Sequence, residues 1–196
     1  MLGAVHGKLV FGRRIRRLAA VVVDRLPANA RVLDVGCGSG DLAALIMRLR
    51  PDVAIEGIDV LVRPDTAIVV HAYDGAHIPF PDRSFDAAIV IDVLHHTDDP
   101  QAVLAEIARV APIVIIKDHL RDGLLANSTL RFMDWVGNAA HSVRLPYNYL
   151  SRREWTRIWQ DLGLRTSAFA THLSLYPRPA SWLFDRGLHF VTILSR

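Results

Sequence analysis

Residues 31–41 read RVLDVGCGSGD, with Gly36, Gly38 and Gly40 at alternate positions directly behind an apolar run. Glycine weakens strands and helices, so such a cluster marks a backbone bend or a close approach to a ligand. Two carboxylates are placed to serve that bend: Asp34 just before the glycines, and Asp59, 19 residues after Gly40. Asp74 opens an Asp-Gly turn with Gly75, and the pair His95-His96 follows the apolar run 86–91. Histidine titrates near neutral pH, so either of the pair is a candidate general base for an acceptor hydroxyl. Against that stands the plainer expectation that one caps a helix and the other packs. Asp34 either faces whatever the bend holds or orders the glycine loop. Cys37 has no base beside it in sequence and reads as a small loop residue rather than a nucleophile.

These residues need a frame, and the hydrophobic pattern supplies one. Short runs rich in Val and Ile alternate with helix-period segments, as in an α/β domain with a mostly parallel sheet. Strands are expected at 31–35, 53–58, 67–72, 86–91 and 112–117, with two later ones at 165–172 and 188–194. The first five are apolar on both faces, as strands covered by helices should be. Ile15, Leu18, Ala19, Val22 and Leu26 form one helical stripe, with Arg13, Arg14, Arg16 and Arg17 on the opposite, solvated face. Leu42, Leu45, Ile46 and Leu49 form a second stripe. Asp99-Pro100 starts a helix running to about Val110. Ser151 and Glu154 make a capping box before Trp155, Ile158, Trp159 and Leu162, with Gly163 as the stop. Residues 119–150 fit neither period.

In an open parallel sheet, ligands bind beyond the carboxyl ends of the strands, where the strand order switches. The glycine turn belongs there. A dinucleotide fingerprint needs G-x-G-x-x-G/A, but after Gly36 and Gly38 the third position is Asp41, a carboxylate that would face pyrophosphate. A P-loop is excluded because no Gly-Lys-Ser/Thr follows.

What remains, G-x-G-x-G behind Leu33-Asp34-Val35, closely resembles motif I of the class I S-adenosylmethionine-dependent methyltransferases. EGIDV at 56–60 resembles the end of that family's second strand, where an acidic residue takes the ribose hydroxyls; Asp59 stands there. YDGAHIPFPDRSFDAAIVIDVLHH at 73–96 and HHTDDPQAVLAEIARV at 95–110 resemble the next segments, placing Asp74 against the adenine amino group. The resemblance covers about residues 30–118. It implies a Rossmann-like three-layer α/β/α sandwich, with seven strands and the last one antiparallel beside the sixth. It implies S-adenosyl-L-methionine contacts at Asp34, Gly36, Cys37, Gly38, Gly40, Asp59, Val60, Asp74, Gly75 and Ile91. It also implies in-line methyl transfer without a metal. One departure stands out: the 60–66 connection, usually a helix in the family, is short enough to be loop.

The acceptor side is read from absences and from residues 119–150. An Asn/Asp-Pro-Pro-aromatic motif is missing after the fourth strand, as is a catalytic cysteine, so nucleic acid is a poor partner and the small-molecule branch fits better. An apolar or aromatic acceptor is expected under a lid of residues 119–150, lined by His119, Trp135, His141, Tyr147 and Tyr149. No histidine–carboxylate group has metal-ligand spacing along the chain. At 196 residues, 51% hydrophobic and 22% charged, the chain suits one domain, with a helical segment at 1–29. It has one cysteine, no apolar run of membrane-spanning length and no signal peptide, which suggests the cytoplasm. The net charge of +3 most simply reflects base composition; the Arg13–Arg17 cluster leaves an RNA or protein substrate as a second reading, and a non-catalytic relative is the third. Oligomeric state is not legible.

Overall fold

The computed structural model describes residues 2–138 and 146–196. Five parallel strands, β1 (Arg31–Val35), β2 (Ala54–Asp59), β3 (Val70–Ala72), β4 (Ala87–Ile91) and β5 (Ile113–His119), share one sheet with β6 (Arg165–Ala170) and β7 (His189–Ser195). The order is β3-β2-β1-β4-β5-β7-β6, with β7 inserted between β5 and β6 and antiparallel to both. The order reverses between β1 and β4, so the switch point lies at the end of β1 as expected.

Each central strand buries both faces, and successive residues go to opposite layers. Leu33, Val35, Ala88, Val90, Val114 and Ile116 pack beneath α3 (Pro100–Val110) and α5 (Arg152–Asp161). Val32, Ala87, Ile89 and Ile115 pack beneath α1 (Leu2–Val23) and α2 (Asp41–Leu49), through Leu18, Ala19, Val22, Ala43 and Ile46. Trp155 is completely buried and stacks with Trp159 against Phe190. The helix starts follow the sequence: Asp99 accepts from Ala102 N at 3.0 Å, and Ser151 and Glu154 form a reciprocal capping box.

Several boundaries differ from expectation for local reasons. The third strand begins at Val70, because residues 67 and 68 are engaged with the glycine turn instead: Ala67 N donates to Ser39 O at 2.8 Å and Ile68 packs on Gly40. The 60–66 connection is loop, as its length required, and leaves Val60 and Leu61 exposed. Within 119–150, where no period was evident, residues Ala126–Asn138 form α4. A four-residue α6 (Ser181–Phe184) precedes β7.

The arginine stripe of α1 is not uniformly solvated. Arg14 turns inward and pairs with Asp92 at the end of β4. That corrects the expectation of a purely solvated arginine face: Arg16 and Arg17 are exposed, while Arg14 is held by a carboxylate 78 residues away.

Candidate functional site

The glycine turn closes on the end of β2. Gly36 N and Cys37 N both donate to Ile58 O, at 2.8 and 3.2 Å. Gly38 N donates to Asp59 Oδ2 at 2.8 Å, while Asp59 Oδ1 accepts from Leu61 N at 2.9 Å. The turn and the carboxylate, 21 residues apart, thus form one rigid corner at the switch point. Gly36, Gly38 and Gly40 all have left-handed φ, at 69°, 58° and 76°. A Cβ on Gly36 would meet Val93, and one on Gly40 would meet Ile68, each at 2.5 Å. The glycines therefore serve both conformation and close packing.

Asp34 sits at the heart of this corner, 3% exposed. Burial, with a smaller push from the Asp59 carboxylate, raises its pKa to about 8. Cys37 fits into the space left by Gly57, which has no side chain to oppose it. Burial pushes its thiol up to about 12, so it carries no thiolate. Val60 is exposed and lies against Gly75, and Ile91 is half-buried at the end of β4. Asp74 is occupied by its own turn: Oδ1 accepts from Ala76 N at 2.8 Å and His77 N at 2.6 Å, and these bonds hold it down at about 2.

Beside that corner, the ends of β4 and β5 carry a cluster of ionisable groups. Asp92 pairs with Arg14 and with Lys117, which is completely buried. Burial pushes Asp92 up, but the two cations overcome it and hold the carboxylate well below its ordinary range. His95 Nδ1 lies 2.6 Å from Asp118 Oδ1, and its Nε2 lies 3.4 Å from Asp134 Oδ2. Burial disfavours the His95 cation, yet Asp118 and then Asp134 prevail and raise it to about 10. His95 therefore holds its proton at neutral pH, which argues against the base role considered for it. Burial and the neighbouring His95 lower His96, which stays neutral and half-exposed. His119 is buried and lowered to about 4, first by burial and then by Lys117.

Tyr149 is buried and its hydroxyl donates to Asp134, while its ring stacks on His95 at 5.5 Å. Of the residues expected under a lid, His119, Tyr147 and Tyr149 do gather here. Trp135 does not, being 60% exposed on α4. His141 falls outside the described residues. Asp92, Lys117, Asp118 and Asp134 were missed by the sequence reading. So was the histidine–carboxylate grouping they help build. One signal was present: Lys117-Asp118-His119 puts polar residues at the end of an otherwise apolar strand, and Lys117 is one of only two lysines.

The comparisons with known proteins agree with this geometry. The family described as "Methyltransferase domain" matches residues 8–168. The chain belongs to the class I S-adenosylmethionine-dependent methyltransferases. Among relatives, 27-O-demethylrifamycin SV methyltransferase of Amycolatopsis mediterranei is 32% identical over 109 residues, 48% of this chain and 40% of that protein. Demethylmenaquinone methyltransferase of Renibacterium salmoninarum is 29% identical over 165 residues, 76% of this chain and 68% of that protein. The chain thus spans well under two thirds of the first relative's length. Among solved structures, an S-adenosylmethionine-dependent methyltransferase from Mesorhizobium loti superimposes with a TM-score of 0.66 at 17% identity, over 90% of this chain and 96% of that one. At that identity it supports the fold alone. No helix among the described residues is long and apolar enough to cross a membrane.

Proposed function

We propose that this methyltransferase-family chain binds S-adenosyl-L-methionine at the glycine corner and transfers its methyl group to a small acceptor held over the ends of β4 and β5. The observation that carries this is the Asp59 carboxylate fixed by Gly38 N–H at 2.8 Å. That contact sets an acidic group beside a bare backbone turn at the switch point, as a ribose and a methionine moiety require. Gly36, Gly38 and Gly40 line the methionine side, and Asp34 is placed for the ammonium group. Cys37, Val60, Asp74, Gly75 and Ile91 border the nucleoside. His95 and His96 bound the acceptor side.

The sulfonium donor is already activated, so the protein's task is alignment of donor and acceptor for in-line displacement. The relatives named for rifamycin and menaquinone chemistry support a small-molecule acceptor. The half-exposed His96 lies just beyond the end of β4, which suits an acceptor whose reacting group hydrogen-bonds, such as a hydroxyl. Aromatic character in the rest of the molecule suits Tyr147 and Tyr149. Arg14 is spent on Asp92, which leaves the basic stripe of α1 weaker as an RNA-binding surface.

Calorimetric titration with S-adenosylmethionine and S-adenosylhomocysteine tests the reading, with Asp59→Ala alongside. Binding by the wild type, weakened roughly tenfold or more in the variant, is expected for loss of charged hydrogen bonds worth ~1.5–3 kcal/mol. No binding of either compound would overturn it and leave a non-catalytic role on the same fold.

A further inference from the structure

From the geometry of His95, His96 and Asp134 we infer a binding site for a single first-row divalent cation, of the zinc or cobalt type. One ligand atom from each of the three lies within 4.8 Å of the others. Two imidazoles and a carboxylate form a donor set that suits such cations.

The surroundings separate this group from a chance cluster. His95 Nε2 and His96 Nδ1 are buried, and neither makes a hydrogen bond. Buried polar atoms are nearly always hydrogen-bonded, so these two nitrogens need a reason; the proton on His95 Nε2, which faces Asp134 Oδ2 at 3.4 Å, gives way to the cation when it binds. His95 is itself only 1% exposed, and its other nitrogen is fixed by Asp118 Oδ1 at 2.6 Å. A histidine whose far nitrogen is held by a buried carboxylate, and whose near one faces a second carboxylate, has the orientation found behind metal-ligating imidazoles. Asp134 has equivalent support, since the Tyr149 hydroxyl donates to its Oδ2. Ligand nitrogens at ~2.1 Å from a metal must sit at most about 4 Å apart. His96, half-exposed and with no hydrogen bond at Nδ1, must rotate to close the difference.

A second grouping, His95 with Asp118 and His119, is the weaker candidate. Asp118 Oδ1 is already engaged by His95 Nδ1 and by His119 N at 2.7 Å. The buried Lys117 cation also stands beside His119 and repels a metal. Use of the cation in methyl transfer would rest on the function proposed above; its binding does not.

The test uses the full chain stripped with a chelator and titrated with Co2+ by absorption and with Zn2+ by competition. One equivalent is expected to bind, with affinity falling tenfold or more in His96→Ala and in Asp134→Asn. Asp118→Asn, which acts only by positioning His95, is expected to weaken binding ~10–100-fold. His77→Ala, a surface histidine remote in role, serves as the unchanged control. S-adenosylhomocysteine binding reports separately on the fold and on the function reading, and His96→Gln replaces His96→Ala if the latter does not fold. Absence of stoichiometric binding, or equal affinity in His96→Ala and Asp134→Asn, would overturn the site even where the nucleoside still binds.

Discussion

Asp34→Asn should stabilise the free protein and weaken it as a binder, and the two effects have one cause. The wild-type carboxyl is buried beside Asp59 and titrates at about 8, against an ordinary value of 3.8. Its folded pKa lies above its unfolded one, so its contribution to stability is fully present below pH 3.8 and is lost as pH rises toward 8. Each pH unit across that window costs ~1.36 kcal/mol. Between pH 3.8 and 7 the interval is 3.2 units, an upper bound of about 4 kcal/mol. Relaxation around the site should reduce this to about 2 kcal/mol, or ~4–8 °C in Tm for a chain of this size. Asparagine keeps the shape and never ionises. Thermal unfolding of both proteins without ligand should therefore show a small advantage for Asn at pH 5 that widens by pH 8. The same substitution removes the carboxyl that would ionise against the ligand's ammonium, so S-adenosylmethionine affinity should fall about tenfold, the equivalent of ~1.4 kcal/mol. A Tm difference that does not change between pH 5 and pH 8 would refute the account of burial. Unchanged affinity would refute the ligand role.

Other substitutions probe neighbouring parts of the structure. Gly40→Ala should cost ~2–3 kcal/mol in chemical denaturation, because it adds left-handed strain at φ 76° to a Cβ placed 2.5 Å from Ile68; a loss below about 1 kcal/mol would mean the turn yields easily. Lys117→Met should cost about 3 kcal/mol, the low end for breaking a buried pair, since Asp92 keeps Arg14. Equal stability of that variant by urea denaturation would show that Asp92 does not need its second cation.

The glycine corner was legible in the sequence because its information is local: three glycines, a preceding strand and a following helix fall within eleven residues. Asp59 was legible too, through the resemblance of EGIDV at 56–60 to the family's second-strand end. The acceptor side was not. His95 meets Asp118 across 23 positions, and Tyr149 meets Asp134 only once α4 has packed. Those partnerships depend on the pairing of β4 with β5, in which Ile91 faces Lys117, and on the docking of a helix with no clear period. No spacing rule along the chain encodes them. Trp135 misled for the opposite reason, because an aromatic residue in an ambiguous segment looked like lining until α4 turned it outward.

The buried ionisable residues also mark one end of the sheet. Among the described residues the buried Asp, His and Lys side chains are Asp34, His95, Lys117, Asp118, His119, Asp134 and His189. Asp34 lies one residue short of the end of β1, Lys117, Asp118 and His119 are the last three residues of β5, His95 lies four residues beyond β4, and His189 pairs directly with His119. Asp134 joins them through His95. The rest of the interior, from Val32 and Ile89 through Trp155, is apolar. Burying this many charged groups does little for stability, since well-packed apolar residues of similar volume would serve as well or better. Chance would scatter them through both layers. Their confinement to the single end where a parallel sheet binds ligands is therefore best explained by what that end must hold, and perturbing them should alter ligand binding more sharply than equal changes at the opposite end of the sheet.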